Sequence, residues 1–332
     1  MTGSFRVLIA DPVHEDGRAR LAKDPSISVD VATGLDEVGL IAKIPGYDAL
    51  IVRSKSRVTR SVIMAGTTLK VIGRAGIGVD NIDVPAATER GIVVFNTPDV
   101  NATTTAELTL AHLMSLSRHL PRADRSVRSG EWQPSRFVGT ELAGKSIGVV
   151  GFGAIGRIVA QRCAALRMTV FAFDPFVKAE IMQQFCAEPL SLDDLLARSD
   201  YITLHCPLTD KTRNLIDKTR IATMMAGVRI INCARGGLLD ETALFEGLKS
   251  GRIAGAALDV FVKEPPAGSP LLQLDNVVFT PHLGASTDEA QKAVSLKIAE
   301  AISNFLTKGE AETAVNLPRI TSEQIDLSTP YQ

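Results

Sequence analysis

Three side chains in the second half of the chain are of the types that proton transfer and anion binding require. His282 stands in Thr280-Pro281-His282-Leu283-Gly284-Ala285, Glu264 in Asp259-Val260-Phe261-Val262-Lys263-Glu264-Pro265-Pro266, and Arg235 in Asn232-Cys233-Ala234-Arg235-Gly236-Gly237. Each follows a short apolar run (Asn276–Phe279, Gly255–Val260 and Val228–Ile231), so each is expected just past a strand. An imidazole beside a carboxylate has its ring orientation fixed and its charged form favoured. A guanidinium grips a carboxylate with two prongs and polarises a carbonyl oxygen next to it. Together they suit the interconversion of a 2-keto acid and a 2-hydroxy acid, where an oxygen gains or loses a proton as hydride moves. Each residue alone has a plainer explanation. A loop histidine often only caps or faces water, an arginine between Ala and Gly can merely bind a carbonyl, and a glutamate before prolines is usually solvated. Their joint occurrence at strand ends carries the reading.

Hydride needs a carrier, and Gly151-Phe152-Gly153-Ala154-Ile155-Gly156 supplies a place for one. The run follows the apolar Ile147–Val150 and opens an expected helix, Arg157–Leu166. In this pattern Gly151 permits a tight turn, Gly153 lets backbone approach a pyrophosphate, and Gly156 packs helix on strand. The helix N-terminus adds free N–H groups and the positive end of its dipole. A second apolar run, Met168–Phe173, ends at Asp174, 18 residues beyond Gly156. A carboxylate there suits the ribose hydroxyls of NAD and repels the extra phosphate of NADP, and neither Pro175 nor Phe176 offers that phosphate a cation. S-adenosylmethionine enzymes share the first half of such a pattern, so the second half of the domain has to separate the two.

The elements that must position these groups follow from the pattern. Short apolar runs alternate with amphipathic stretches, the signature of βαβ units in parallel sheets. Arg6–Ala10, Ile27–Val31, Ala49–Val52, Lys70–Ile72 and Ile92–Phe95 read as strands, with His14–Ala22 and Arg60–Ala65 among the helices between them. A helix is expected from Asn101 to Leu120, with Thr103 to Thr105 as caps and Pro121 as its stop. At roughly 22–27 Å it is long enough to run from one domain into another. A second alternating series begins at Ser146. The last helix, Asp288–Leu306, precedes a polar tail around Ala314–Leu317 and could fold back onto the first domain. The fold class is α/β with two doubly wound parallel-sheet domains: a discontinuous first domain, 1–99 and 286–332, and a Rossmann nucleotide-binding domain, 100–285, inserted within it.

Bulk properties narrow the partners. A length of 332 residues favours two domains, and 45% hydrophobic residues allow proper cores. A formal net charge of −1 gives no field to attract nucleic acid or an anionic membrane. The four cysteines, Cys163, Cys186, Cys206 and Cys233, form no CxxC pair or metal-ligand spacing and read as reduced thiols. No apolar run approaches a bilayer's ~20 residues. FRVLIA begins almost at once, leaving no room for a signal peptide, so the cytoplasm is the expected compartment.

The blocks GFGAIG, INCARGGLLDETAL, GAALDVFVKEPP and TPHLGAST resemble the motifs of D-2-hydroxyacid dehydrogenases, and the likeness covers nearly the whole chain. It implies Arg235, Glu264 and His282 as the catalytic set and no metal. It implies NAD contacts at Gly151, Gly153, Ala154, Ile155, Gly156, Asp174, Cys206, Cys233, Ala234, Asp259, His282, Leu283, Gly284 and Ala285. It also implies the inserted-domain arrangement, with a flavodoxin-like substrate domain outside the insertion. An arm carrying Trp132 and Phe137 would pack against a second subunit in a homodimer; the plainer alternative is packing within the chain.

The hydroxy acid is narrowed by the first domain. Arg53 and Ser54 follow one apolar run, and Arg74, Gly76 and Ile77 follow another. Gly76 and Gly78 would let the turn present N–H groups to an anion. Two arginines exceed what one carboxylate needs and suit a phosphate, unless Arg74 merely pairs with a surface acid. RAGIGVDNID and NTPDVNATTTAEL are more similar to the phosphoglycerate branch of the family than to its lactate or formate branches, and Asn101 matches a substrate-contacting position there. Formate enzymes have Gln where Glu264 stands. The segment Trp132–Arg136 is less basic than in that branch, and the chain ends without the regulatory domains of longer members, so serine feedback is not expected. The expected partner is a small 2-hydroxy or 2-keto acid carrying a phosphate. A glyoxylate or hydroxypyruvate reductase and a dehydrogenase for sulfonated acids are near alternatives. An NAD-sensing scaffold like the family's corepressors is the alternative of another class.

Overall fold

The computed structural model describes residues 5–98, 100–311 and 314–317; the outer stretches 1–4 and 318–332 of the expected first domain, with 99, 312 and 313, lie outside the described residues. The chain forms two compact units, one from residues 1–101 and 287–332, the other from 102–286.

In the first unit β1 (Phe5–Ile9), β2 (Ile27–Val31), β3 (Ala49–Val52), β4 (Val71–Arg74) and β5 (Val93–Phe95) form a parallel sheet in the order β2-β1-β3-β4-β5. The buried positions of the inner strands are apolar because helices cover both faces. Leu8, Leu50, Ile72 and Val94 pack on one side with Leu40, Val62, Ile63 and Ala86. Val7, Ile51, Val71 and Val93 pack on the other with Leu21, Val294, Ile298 and Ile302. The late helix Asp288–Lys308 therefore does return to this unit. It lies so close to Glu15–Ala22 that a Cβ at Gly17 would sit 2.7 Å from the Ser295 carbonyl oxygen. The His14 N–H donates to Ser295 Oγ at 2.9 Å in the same contact.

In the second unit β6 (Ser146–Val150), β7 (Thr169–Phe173), β8 (Glu188–Pro189), β9 (Tyr201–Leu204), β10 (Val228–Asn232), β11 (Ile253–Leu258) and β12 (Val277–Phe279) run parallel in the order β12-β11-β10-β9-β6-β7-β8. This is the doubly wound nucleotide-binding order with one strand added at its edge. Helices Ala102–Arg118 and Ala154–Ala165 cover one face. Leu192–Arg198, Lys218–Thr223 and Glu241–Lys249 cover the other.

Several local readings are corrected. The long helix starts at Ala102, so Thr103 to Thr105 lie inside its first turn rather than capping it. It ends at Arg118 in a left-handed His119, and Pro121 lies in the first turn of the next helix, Leu120–Arg128, where its missing N–H costs nothing. Arg74 closes β4 instead of following it, because its backbone pairs with Val52. The stretch 314–317 is not a loose tail: Ala314 bridges to Phe95, and Asn316 Oδ1 accepts the Val94 N–H at 2.8 Å. The two-residue β8 carries no apolar alternation and was invisible to the pattern.

Candidate active site

In the second unit the three candidate catalytic residues lie past the carboxyl ends of β10, β11 and β12, where His282 and Glu264 meet and the charge of Arg235 reaches Glu264. His282 Nδ1 lies 2.8 Å from Glu264 Oε2. The other carboxylate oxygen accepts the Phe261 N–H at 3.1 Å, so the Glu264 loop closes on its own side chain. Burial pushes the Glu264 carboxyl upward, but the His282 hydrogen bond and charge, the Phe261 N–H and the charge of Arg235 together hold it below the usual glutamate value. Arg235 is half-buried and donates to the Ala234 carbonyl at 2.7 Å. Gly236 brings it there, since a Cβ at that position would overlap the Phe261 carbonyl. A proton acceptor with an oriented ring and an adjacent guanidinium is thus assembled from three separate loops.

His282 has φ of 56°, a left-handed backbone that costs a non-glycine residue about 1–2 kcal/mol. The opposing force is Asp259, which is fully buried. Its Oδ1 accepts from Leu283 N and Thr280 Oγ1, both at 2.6 Å, and its Oδ2 from Gly284 N at 2.9 Å. Its backbone carbonyl accepts the His282 N–H at 2.9 Å. Hydrogen bonds to an ionised group are worth about 1.5–3 kcal/mol each, so this set outweighs the strain at His282.

The candidate cofactor contacts fall into two groups on the same edge. Gly151 has φ of 95° and lies against the His205 and Cys206 backbone, at the point where strand order reverses between β6 and β9. A Cβ at Gly156 would meet the Gly151 carbonyl, whereas one at Gly153 would point into open space. That opening lies at the start of helix Ala154–Ala165, beside the half-buried Ala154 and Ile155, and it fits a pyrophosphate. Asp174 accepts the Phe152 N–H at 2.8 Å and the Phe176 N–H at 2.9 Å, which fixes its carboxylate beside the glycine turn with lone pairs left for ribose hydroxyls. Cys206 feels the charge of Asp174. Around the second group, the Cys233 thiol feels the charge of Asp259. Ala234 donates to Asn232 Oδ1 at 3.0 Å. Leu283 and Gly284 hang on Asp259, and Ala285 follows them, half-buried.

Sequence reasoning missed the groups behind this edge. Thr105 Oγ1 donates to the Gly284 carbonyl at 2.7 Å, and Thr280 anchors Asp259. His205 Nε2 lies 2.9 Å from Thr203 Oγ1, and burial pushes its pKa down to about 3. Thr280 stood in the quoted motif beside His282, but nothing in its type announced a buried bond. Among the described residues no group of three His, Cys, Asp or Glu could hold a metal ion, and no helix is long and apolar enough to cross a membrane.

Of the candidate substrate residues in the first unit, Arg53 and Ser54 follow β3 at the strand reversal between β1 and β3, Arg74, Gly76 and Ile77 lie at the end of β4, and Asn101 lies beyond β5. Buried Asp11 accepts the Arg53 N–H at 2.6 Å, the Ser56 N–H at 3.1 Å and the Ser56 hydroxyl at 2.9 Å. Asn81 Nδ2 donates to the Arg53 and Ser56 carbonyls, each at 2.7 Å. The loop is thereby pinned, with Arg53 half-buried and Ser54 exposed at its surface. Arg74 folds over Gly76, where a Cβ would strike its guanidinium. The Gly76 N–H is used by the Arg74 carbonyl at 2.9 Å, so it is not offered to an anion as the glycine pattern suggested. Ile77 receives Asn96 Nδ2 on its carbonyl at 2.7 Å, and Asn101 is buried just before the long helix.

Comparison with known proteins decides the family. The D-isomer specific 2-hydroxyacid dehydrogenase NAD-binding domain matches residues 110–284, more than half of the chain. The chain belongs to that family. It is 48% identical over 327 residues to the D-3-phosphoglycerate dehydrogenase of Methanocaldococcus jannaschii, covering 98% of this chain and 62% of the relative. It is 44% identical to the enzyme of that name from Bacillus subtilis, with 98% and 62% covered. The chain thus spans about three-fifths of the length of these curated relatives. The D-lactate dehydrogenase of Aquifex aeolicus, solved with NAD and lactic acid, superposes with a TM-score of 0.85 at 29% identity, over 94% of this chain and 99% of that one. NAD is accordingly the cofactor of this dehydrogenase fold, and the open glycine turn beside Asp174 fits it.

Burial pushes the thiols of Cys163 and Cys233 up to about 12, and burial with the Asp174 charge raises Cys206 to about 11. Only Cys186 is exposed. Since the thiolate is the nucleophile, alkylation of the native protein near pH 8 should modify Cys186 alone, with the other three reacting only after unfolding. Peptide mass mapping checks this, and native labelling of Cys206 or Cys233 would contradict it.

Proposed function

We propose that the protein oxidises 3-phospho-D-glycerate to 3-phosphohydroxypyruvate, the entry to serine synthesis. The observation that carries the reading is the 2.8 Å pair of His282 and Glu264 at the edge of the NAD-binding unit. The names of the relatives at 44–48% identity support the choice of acid.

Arg235 holds the substrate carboxylate in a two-pronged grip and keeps the reacting carbon beside the histidine. His282 takes the hydroxyl proton on Nε2 while its Nδ1–H stays on Glu264 Oε2. Bound NAD supplies the hydride acceptor. Glu264, held ionised, stabilises the imidazolium that results and keeps the ring from turning. In reduction the same Nε2 returns its proton to the developing alkoxide. General acid–base catalysis of this type is worth about 10²–10⁴ in rate. Residues 102–286 serve as the nucleotide domain, and the first unit serves as the substrate domain. Arg53 and Arg74 are assigned to the phosphate, Ser54, Ile77 and Asn101 to the rest of the substrate, with Gly76 shaping the turn that holds Arg74.

We further propose a homodimer formed through the arm after the long helix. Leu120 (53%), Val127 (56%), Trp132 (82%) and Val138 (77%) are all exposed there, more apolar surface than one short segment of a monomer ordinarily leaves wet. Sedimentation should give the mass of two chains, and Trp132→Ala with Val127→Asp should give one. A single-chain mass for the unaltered protein would refute this.

A panel of 2-hydroxy acids tested for NAD reduction at alkaline pH addresses the activity. 3-Phospho-D-glycerate should be used best, and His282→Gln should lower kcat by at least ~10² without weakening NAD binding. Preference for glycerate or a sulfonated acid would move the assignment to the near alternatives. Failure of every member would favour the NAD-sensing scaffold. Arg53→Ala should weaken phosphorylated substrates selectively, by about tenfold or more for the loss of one charged contact. Equal losses for glycerate and phosphoglycerate would exclude Arg53 from holding phosphate.

A further inference from the structure

Behind the His282 loop, helix Ala102–Arg118 presents a buried polar row: Thr105, Thr109 and His112, spaced four and then three residues apart and so on one helix face. Thr109 Oγ1 donates back to the Thr105 carbonyl at 2.9 Å, and Thr105 Oγ1 reaches across to the Gly284 carbonyl. His112 is only 2% exposed, and its Nε2 lies 3.0 Å from Thr280 Oγ1. Nothing in the chemistry assigned above uses these groups.

A threonine hydroxyl has one hydrogen, and that of Thr280 points to the Asp259 carboxylate at 2.6 Å. Thr280 Oγ1 must then accept from His112, which fixes His112 as the tautomer protonated on Nε2. Burial lowers the pKa of His112, so it stays the neutral donor. The chain therefore reads His112 Nε2–H to Thr280 O–H to Asp259, and Asp259 in turn receives the N–H groups of Leu283 and Gly284. Thr280 is two residues before His282, and Leu283 and Gly284 are the two after it, so the carboxylate ties both flanks of the residue whose backbone is left-handed.

We propose that Thr280 and His112 are positioning residues for proton transfer: their hydrogen-bonded chain holds Asp259 in place, and through it the backbone turn that aims His282. Removing the Thr280 hydroxyl leaves Asp259 one donor short. The carboxylate is then free to rotate about its own side chain, the Leu283 and Gly284 bonds lose their common anchor, and the imidazole loses register with Glu264. Misplacement of a catalytic group by about 1 Å can cost as much as 10²-fold in rate. The second half of this inference, its effect on turnover, rests on the dehydrogenase reading above; the first half, its effect on the loop, does not.

Three variants test it: Thr280→Val, which keeps the shape and removes the hydroxyl, Thr280→Ser, which restores it, and His112→Leu, which removes the outer donor but keeps an apolar packing residue. Hydrogen exchange of the His282, Leu283 and Gly284 amides, measured in the NADH-bound protein, should speed up by about tenfold or more in Thr280→Val and return close to the original rate in Thr280→Ser. With the preferred hydroxy acid, kcat should fall by about tenfold in Thr280→Val, with His112→Leu between it and the unaltered protein. A role in general stability alone would speed exchange across the whole sheet and leave Thr280→Ser no better than Thr280→Val. Unchanged loop exchange in Thr280→Val, failure of Thr280→Ser to rescue, or a rise in KM for NAD with kcat retained would each overturn the proposal. If the unaltered protein oxidises no hydroxy acid while the loop exchange responds as stated, the positioning chain stands and the dehydrogenase reading falls.

Discussion

The buried carboxylate of Asp259 is the constraint from which the geometry of the site follows. A loop that ends a parallel strand has no sheet partner for its N–H groups, and left alone it would take several conformations. Asp259 removes that freedom by accepting from both sides of His282 at once. The left-handed backbone at His282 is the conformation that satisfies those bonds, and it turns the imidazole toward Glu264. A charge buried this completely is tolerated because its oxygens are met by donors fixed in number and direction.

The cofactor edge uses the absence of atoms rather than their presence. Gly151, Gly156 and Gly236 each lie where a Cβ would meet backbone, and at Gly151 and Gly236 the two segments that come together are distant in sequence. Gly151 joins the turn after β6 to the segment after β9 at the strand reversal. Gly236 sets the Arg235 turn on the segment leading to Glu264. Gly153 differs, since its missing side chain opens onto free space at a helix N-terminus. The same residue type thus serves as spacer in three places and as the opening for a phosphate in the fourth.

The first unit repeats the principle with other groups. Asp11 at its strand reversal pins the Arg53 loop through backbone N–H bonds, as Asp259 pins the loop of His282. Both units therefore carry a buried aspartate just beyond a central strand, and both use it to rigidify a loop that bears a candidate functional cation or base. A rigid loop matters more for a charged side chain than for an apolar one, because electrostatic and hydrogen-bond energies fall quickly once the partner is displaced.

How much of this the sequence held depended on the range of the forces involved. The inner strands and the main helices were legible because hydrophobic burial imposes a period on the chain, and Ile27–Val31, Ala49–Val52 and Arg60–Ala65 lie where that period put them. The nucleotide turn and the Arg235, Glu264 and His282 loops were legible because each is a short block of residues with a local geometric demand. Tertiary structure alone decided the rest. Thr103 to Thr105 looked like caps until the helix began ahead of them at Ala102 and turned Thr105 toward Gly284. The Gly76 N–H looked available until Arg74 claimed it, and the 314–317 stretch read only as a polar tail until Asn316 found Val94. His112 and Thr280 are 168 residues apart, and no local propensity can encode a hydrogen bond that exists only after a helix has packed on the sheet. Patterning set which faces are buried, and the directional bonds inside them were chosen by packing.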